Sequence, residues 1–390
     1  MSNLISTVLI VGGGIGGLSA GIALQKIGIK TEIVELQKEW NVYGVGIIQP
    51  PNALRALDEL GVLEECLNKG FSYPGFSYCT GQGHEFAKPE SPRIDGYPGV
   101  NGISRRGLHN ILLNAAIAAG TEIRMGISVE SIENKSDCTL VTFTDGTSAK
   151  YDLVVGADGV NSRVRDLLFG NVEQEYVGQA VWRYTLPRPK EIDTGIFYFG
   201  KNGKAGLVPM SKSEMYLLLT THEPNNPKMP ADQLDILLRE RLQEFGGEIA
   251  QIRDQIKDPS LVVYRPIYSY LLPSPWHRGR VVLIGDAAHA TTPHLGQGAS
   301  LALEDVLVLA DLLAQEYDVV EKLSAFTERQ FERSRIVVDH SRQLVEWELL
   351  EWKGEMPKDV NVAKFSKDTL VKLNEPLLRS NIELEGGVYR

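Results

Sequence analysis

The chain has 390 residues, of which 43% are hydrophobic and 23% charged; this excludes a disordered polypeptide and predicts two to three domains of about 150 residues each. Lys and Arg number 40 against 50 Asp and Glu, and the net charge of −10 is a poor match for nucleic acid or an anionic membrane, both themselves negative. Three cysteines, Cys66, Cys79 and Cys138, are too scattered for a disulfide framework or a zinc site and fit a reducing compartment.

The N-terminus lacks the basic start, long apolar stretch and small-residue cleavage site of a secretory signal. No uncharged apolar run approaches the roughly 20 residues that span a bilayer. A soluble, cytoplasmic protein is expected. Residues 7–11 read as a β-strand, 12–17 as a glycine cluster, 18–27 as a helix and 30–36 as a second strand, a parallel βαβ unit. Residues 52–67 have helical periodicity, with Leu54, Leu57, Leu60 and Leu63 apolar. Residues 71–98 suggest loops and short strands, and 106–119 another helix. Strands are expected at 122–126, 128–133, 139–144 and 151–155, with a turn at Asp145-Gly146.

The pattern then changes. Residues 176–270 are β-rich, interrupted by a helix near 231–245. This predicts an antiparallel sheet inserted into the first domain. Residues 280–284 return to a buried strand, followed by a long helix at 298–314 and one or two helices over 323–350. The tail beyond Gly354 is polar and weakly periodic.

Three motifs carry chemistry. Gly12-x-Gly14-x-x-Gly17 follows a strand and opens a helix. Gly12 permits a tight turn, Gly14 lets backbone approach a pyrophosphate, and Gly17 allows close helix–strand packing. Glu35 ends the next strand, where a carboxylate accepts hydrogen bonds from an adenosine ribose. The bland alternative is a structural glycine turn beside a solvent-facing Glu. The second motif runs from Gly156 through Asp158 to Arg163 and Arg165; the third joins Gly285-Asp286 to Pro293-His294-Leu295-Gly296-Gln297-Gly298-Ala299. Each puts an Asp at the end of a buried strand, where a charge needs a hydrogen-bond partner that a ligand hydroxyl can supply. Helix-capping turns are the alternative.

These motifs, in this order and spacing, resemble the class A flavoprotein monooxygenases, the group around para-hydroxybenzoate hydroxylase. The likeness covers about residues 7–350 and includes Gly44-Val45-Gly46-Ile47, Pro51-Asn52 and Arg105-Arg106-Gly107-Leu108. It implies an α/β fold: a Rossmann-like FAD-binding domain (1–75, 100–175 and 265–350), an inserted, mainly antiparallel β-sheet substrate domain (76–99 and 176–264) and C-terminal helices, with 351–390 as a tail. By the same likeness Gly12, Gly14, Gly17, Glu35 and Val129 belong to FAD binding. Arg105, Asp158, Asp286, Gly298 and Ala299 complete that set, while Pro293 and Gly296 line the flavin ring at its oxygen-reacting side. Asp158, with Arg163 or Arg165, bridges structure and cofactor.

The implied reaction is hydroxylation of an aromatic or N-heteroaromatic small molecule by O2 through a C4a-hydroperoxyflavin, with NADH or NADPH as transient reductant. One glycine fingerprint rather than two fits that transient docking. A non-oxygenating flavin reductase or dehydrogenase is the alternative enzyme, and a flavin-binding regulator a third reading. For the substrate, Arg183 on an inserted-domain strand can pair with a carboxylate or phenolate. Tyr216 shares a strand face with Leu218 and Thr220 and points to either pocket or core. Gln49 lies beside the Gly46 loop. His222 reads as a turn residue, His289 as structural and His294 as a flavin or substrate contact. A monomer or homodimer without nucleic-acid or membrane partners is expected.

Overall fold

The computed structural model describes residues 5–41 and 45–377. Gly44 of the expected glycine loop, the extreme N-terminus and the end of the expected tail lie outside the described residues.

A six-stranded sheet runs in the order His277–Arg278, Val281–Leu283, Leu153–Gly156, Thr7–Val11, Lys30–Glu35 and Glu122–Met125. Its first pair is antiparallel and the rest are parallel. Val8 to Val11 and Leu153 to Val155 are buried, as parallel strands covered on both faces require. Register makes the sheet informative. Val11 is level with Gly156, and Gly156 with Leu283. All three sequence motifs therefore leave the same edge of three adjacent strands, the crevice where open α/β sheets bind ligands.

An eight-stranded sheet has the order His289–Ala290, Val263–Leu271, Glu175–Pro187, Glu214–His222, Gly203–Pro209, Gly195–Phe199, Phe76–Thr80 and Glu85–Ala87. Its pairs are antiparallel except Gly195–Phe199 with Phe76–Thr80. Alternation divides its side chains. Trp182, Tyr184, Leu186, Met215, Leu217 and Leu219 enter one core, closed with residues of helices Leu234–Arg241 and Gly247–Ile252. Arg183, Tyr216 and Leu218 occupy the opposite face. Tyr216 packs so closely on Gly46 that a Cβ there would lie 2.1 Å from its ring. That contact sets the sheet against the nucleotide part.

Several expected boundaries shift. The division at 264/265 falls inside the strand Val263–Leu271, which runs through without interruption. The division at 350/351 falls inside one 35-residue helix, Val319–Lys353, ended by Gly354 in the left-handed region. The tail contributes a helix, Val362–Leu373, whose Leu373 is buried with Leu301 and Val337. The helix expected over 52–67 is two, Pro51–Glu59 and Leu63–Lys69, separated at Gly61 with φ of 76°. No helix among the described residues is long and apolar enough to cross a membrane.

Candidate active site

The nucleotide turn is fixed by contacts that exclude side chains. Gly12 has φ of 106°, and a Cβ there would sit 2.5 Å from the Ala157 carbonyl oxygen. A Cβ on Gly17 would lie 1.9 Å from the Gly12 oxygen. Gly14 has open space beside it and precedes the helix Ile15–Lys26, which has neither a side-chain cap nor an acidic first turn. Its free N–H groups and positive dipole end suit a phosphate. Glu35 accepts the backbone N–H groups of Gly13 and Gln37, both at 2.9 Å, so it braces this turn. The Trp40 ring lies over Gly13 and 4.8 Å from the His109 ring, whose Nε2 is 3.0 Å from the Gly13 oxygen. Neither residue belongs to a motif, so nothing in the sequence singled them out.

The two motif aspartates differ. Asp158 accepts the Ser162 hydroxyl at 2.5 Å and the Val164 N–H at 3.0 Å. Burial raises its carboxyl, and these bonds counter that rise. Its partners are thus local backbone and hydroxyl groups, the helix-capping alternative, and neither expected arginine side chain bonds it. Arg163 donates to the Val129 and Glu130 carbonyls, with Val129 itself buried. Arg165 donates to the Val160 carbonyl and the Tyr270 hydroxyl, and Tyr270 donates to the Asp286 carbonyl. The second motif is thereby tied to the third.

Asp286 has no hydrogen-bond partner for its carboxylate among the described residues, and its side chain opens to the cleft. The surrounding protein raises its carboxyl, while His289 and Arg105 pull it down. Its backbone is held from behind by Asp305. One Asp305 oxygen accepts the Gly285 N–H at 2.8 Å and His289 Nε2 at 2.7 Å; the other accepts Gln330 at 2.8 Å. Burial alone lowers the His289 imidazole, yet Asp305 brings it above the ordinary value. His289 is therefore a structural partner.

Pro293 is exposed, Gly296 is left-handed with φ of 66°, and the helix Gly298–Leu313 begins without a side-chain cap or acidic first turn. A Cβ on Gly298 would lie 4.0 Å from the Asp286 carboxylate, and Ala299 packs on the core. Gln297 accepts from Asn52 at 2.9 Å, and the buried Glu304 takes Asn52 at 3.0 Å and both arms of Arg333 at 2.6 and 2.7 Å. Two uncapped helix N-termini, an open glycine and an unpartnered carboxylate at one sheet edge fit a diphosphate ligand with hydroxyl groups.

Across the cleft, Arg183 has no acceptor among the described residues. Burial lowers its guanidinium to about 10, helped by Arg105 and Arg265 and opposed by Tyr216. Burial lifts the Tyr216 hydroxyl to about 12, against the pull of Arg183 and Arg105. Gln49 is not brought to this cleft. Gly46 and Ile48 face Tyr216, so the next positions, Ile47 and Gln49, turn the other way. There Gln49 accepts from Asn101 at 2.7 Å, beside Cys66.

A family described as FAD binding domain matches residues 6–341. A 2-heptyl-3-hydroxy-4(1H)-quinolone synthase of Pseudomonas aeruginosa is 34% identical over 311 residues, 78% of this chain and 80% of that one. The FAD-dependent urate hydroxylase of Klebsiella pneumoniae is 28% identical over 346 residues, 86% of this chain and 88% of its own. The chain belongs to the FAD-dependent monooxygenase family. The crystal structure of Klebsiella pneumoniae HpxO with FAD and uric acid shares its fold, with a TM-score of 0.79 at 24% identity over 95% of this chain and 93% of that one. As a member of this family the protein is an FAD-dependent monooxygenase.

Proposed function

We propose that the cleft hydroxylates an electron-rich ring bearing an oxygen substituent, with Arg183 and Tyr216 as the groups that receive that oxygen. The observation behind this reading is Arg183: a half-buried guanidinium without an acceptor among the described residues, facing Tyr216 on the cleft side of the sheet. A buried cation favours the deprotonated form of a ring hydroxyl, and the anionic form is the stronger nucleophile. The quinolone synthase and urate hydroxylase are both named for N-heteroaromatic compounds, which supports a heteroaromatic ring here.

FAD, when bound, takes a hydride from NAD(P)H and activates O2. The chain's own residues would hold and shield it. Gly12, Gly14 and Gly17, with the uncapped first helix, would receive the diphosphate. Glu35 and Val129 would flank the adenosine end, and Arg105 and Asp286 the middle, with Asp158 shaping the turn beside them. Gly298 and Ala299 would present backbone N–H groups, and Pro293 and Gly296 would border the ring. The sheet would exclude water by covering the cleft. A cytoplasmic monomer or homodimer completes the reading.

The test is a panel of 4-hydroxyquinolines, hydroxypyridines, urate and hydroxybenzoates, each with NADH and NADPH under labelled O2. One class should accelerate reductant oxidation and gain a single labelled oxygen atom. Oxidation of a substrate without label would instead identify a dehydrogenase. If every compound leaves FAD-loaded enzyme unstimulated, the oxygen-substituted ring is the wrong substrate class.

A further inference from the structure

The loop over residues 293–298 is held on two flanks, and the flanks differ in kind. On one side Gln297 bonds Asn52, which is itself anchored by Glu304. These partners all lie beside the nucleotide sheet. On the other side the His294 ring is 1% exposed and bonds Glu348 of the long helix, Nε2 to Oε2 at 3.0 Å. Glu348 reaches onward to the eight-stranded sheet. Its other oxygen pairs with the Lys204 ammonium, while Gln179 donates at 3.3 Å to the oxygen that His294 bonds. Lys204 stands level with Thr220, on the face that also carries Tyr216 and Leu218.

A carboxylate accepts only, so His294 must present a proton on Nε2. Its Nδ1 then takes the Thr292 hydroxyl at 2.9 Å. That hydroxyl has a second acceptor in reach, the Ser341 carbonyl at 3.2 Å. The ring thus has two tautomers available, and Glu348 selects one. Burial lowers the imidazole despite Glu348, which favours the neutral ring. Burial alone would raise the Glu348 carboxyl, but Lys204 and His294 bring it down to about 2, so the carboxylate is fully charged at neutral pH.

We infer that Glu348 is a positioning residue: through His294 on one side and Lys204 on the other, it couples the placement of the 293–298 loop to the placement of the substrate sheet. This rests on the reading that the loop borders the flavin. Because the sheet and the cofactor then bias one connected element, a change at the sheet alters how tightly FAD is held, and the coupling is reciprocal. The Gln297 side holds the loop without involving the sheet. Glu348 adds the dependence on the sheet, a route by which closure over substrate reaches the oxygen-transfer site.

The test uses full-length protein and equilibrium FAD binding, with nitrogen-15 NMR of the His294 ring as a second readout. Glu348→Met should weaken FAD binding about tenfold, the loss expected for hydrogen bonds to a charged group. It should also move the His294 proton to Nδ1, turning the Thr292 hydroxyl to Ser341. Lys204→Met should weaken FAD binding more modestly, and adding it to Glu348→Met should cause no further loss. Glu348→Gln, which keeps an acceptor, should retain the Nε2–H tautomer and recover most of the affinity. A merely structural ion pair would lower the melting temperature in every variant and leave tautomer and FAD affinity unchanged. That result overturns the proposal, as does additive loss in the double variant. Should Glu348→Met fail to fold, Glu348→Gln with and without Lys204→Met closes the same cycle: a loss in Lys204→Met that persists undiminished in both backgrounds overturns it. Gln297→Ala tests the underlying reading separately. If it leaves FAD affinity intact, the loop does not border the flavin and the coupling falls with it; if it weakens FAD while Glu348→Met does not, only the coupling falls.

Discussion

On the nucleotide wall of the cleft, Glu35, Asp158 and Asp305 each accept hydrogen bonds from protein donors, whereas on the sheet wall Arg183 has no acceptor among the described residues. The first wall spends its buried polarity internally and fixes a geometry. The second leaves polarity for something that arrives. Asp286 is the exception on the nucleotide wall: it sits at the same sheet edge as Asp158, but its carboxylate has no hydrogen-bond partner among the described residues. The comparison teaches that a charged residue in a motif is not yet a ligand-binding residue. Its partners decide, and a charge that opens to the cleft with none is the stronger candidate.

This contrast can be broken most forcefully at Asp305. Asp305→Ala strands the Gly285 N–H, His289 and Gln330 at once, and should cost about 3–5 kcal/mol in denaturant unfolding. A loss under 1 kcal/mol would mean the wall is not internally braced. On the opposite wall, Arg183→Gln should leave FAD affinity unchanged and reduce kcat/KM for the accepted substrate by roughly 10–100-fold. Loss of FAD instead would assign Arg183 to the cofactor and erase the distinction between the walls.

Acid sharpens the comparison where the walls meet. The Glu348 carboxyl lies at about 2 in the folded protein against an ordinary 4.5. A depressed folded value means that its stabilisation is complete above the unfolded value and disappears as pH falls from about 4.5 towards 2. Melting temperature over that interval should therefore fall less steeply in Glu348→Met than in the wild type; equal slopes would deny the pairing. The smallest effect is expected at Gln49. Gln49→Leu should change stability by about 1 kcal/mol at most and leave KM alone, because the amide faces Asn101 rather than the cleft. A raised KM would return Gln49 to the substrate.

Much of the nucleotide wall was legible because its demands are local. Gly12 and Gly17 are required by contacts within a few residues or with one neighbouring strand, and strand period and order place the three motifs together. The bracing was not legible. Glu304 and Asp305 read only as interruptions of an apolar helix, since their partners Arg333, His289 and Gln330 are distant in sequence. Lys204 and Glu348 are 144 positions apart, and no periodicity connects them. Gln49 was misplaced because facing depends on strand phase, and the phase is set by Tyr216 packing on Gly46. The leucines at 54, 57, 60 and 63 concealed the break at Gly61, where the left-handed backbone ends one helix before the next begins. Arg183 and Tyr216 could be nominated from the sequence, but their lack of acceptors among the described residues is a property of the folded sheet.

The account rests most directly on the difference between its two motif aspartates, and equilibrium FAD binding by Asp286→Asn and Asp158→Asn, beside the melting temperature of each apoprotein, measures it. Asp286→Asn should weaken FAD at least about tenfold with apoprotein stability unchanged, while Asp158→Asn should destabilise the apoprotein by about 1–3 kcal/mol. Full FAD affinity in Asp286→Asn, or a destabilised Asp286→Asn apoprotein beside an unaffected Asp158→Asn, would contradict it.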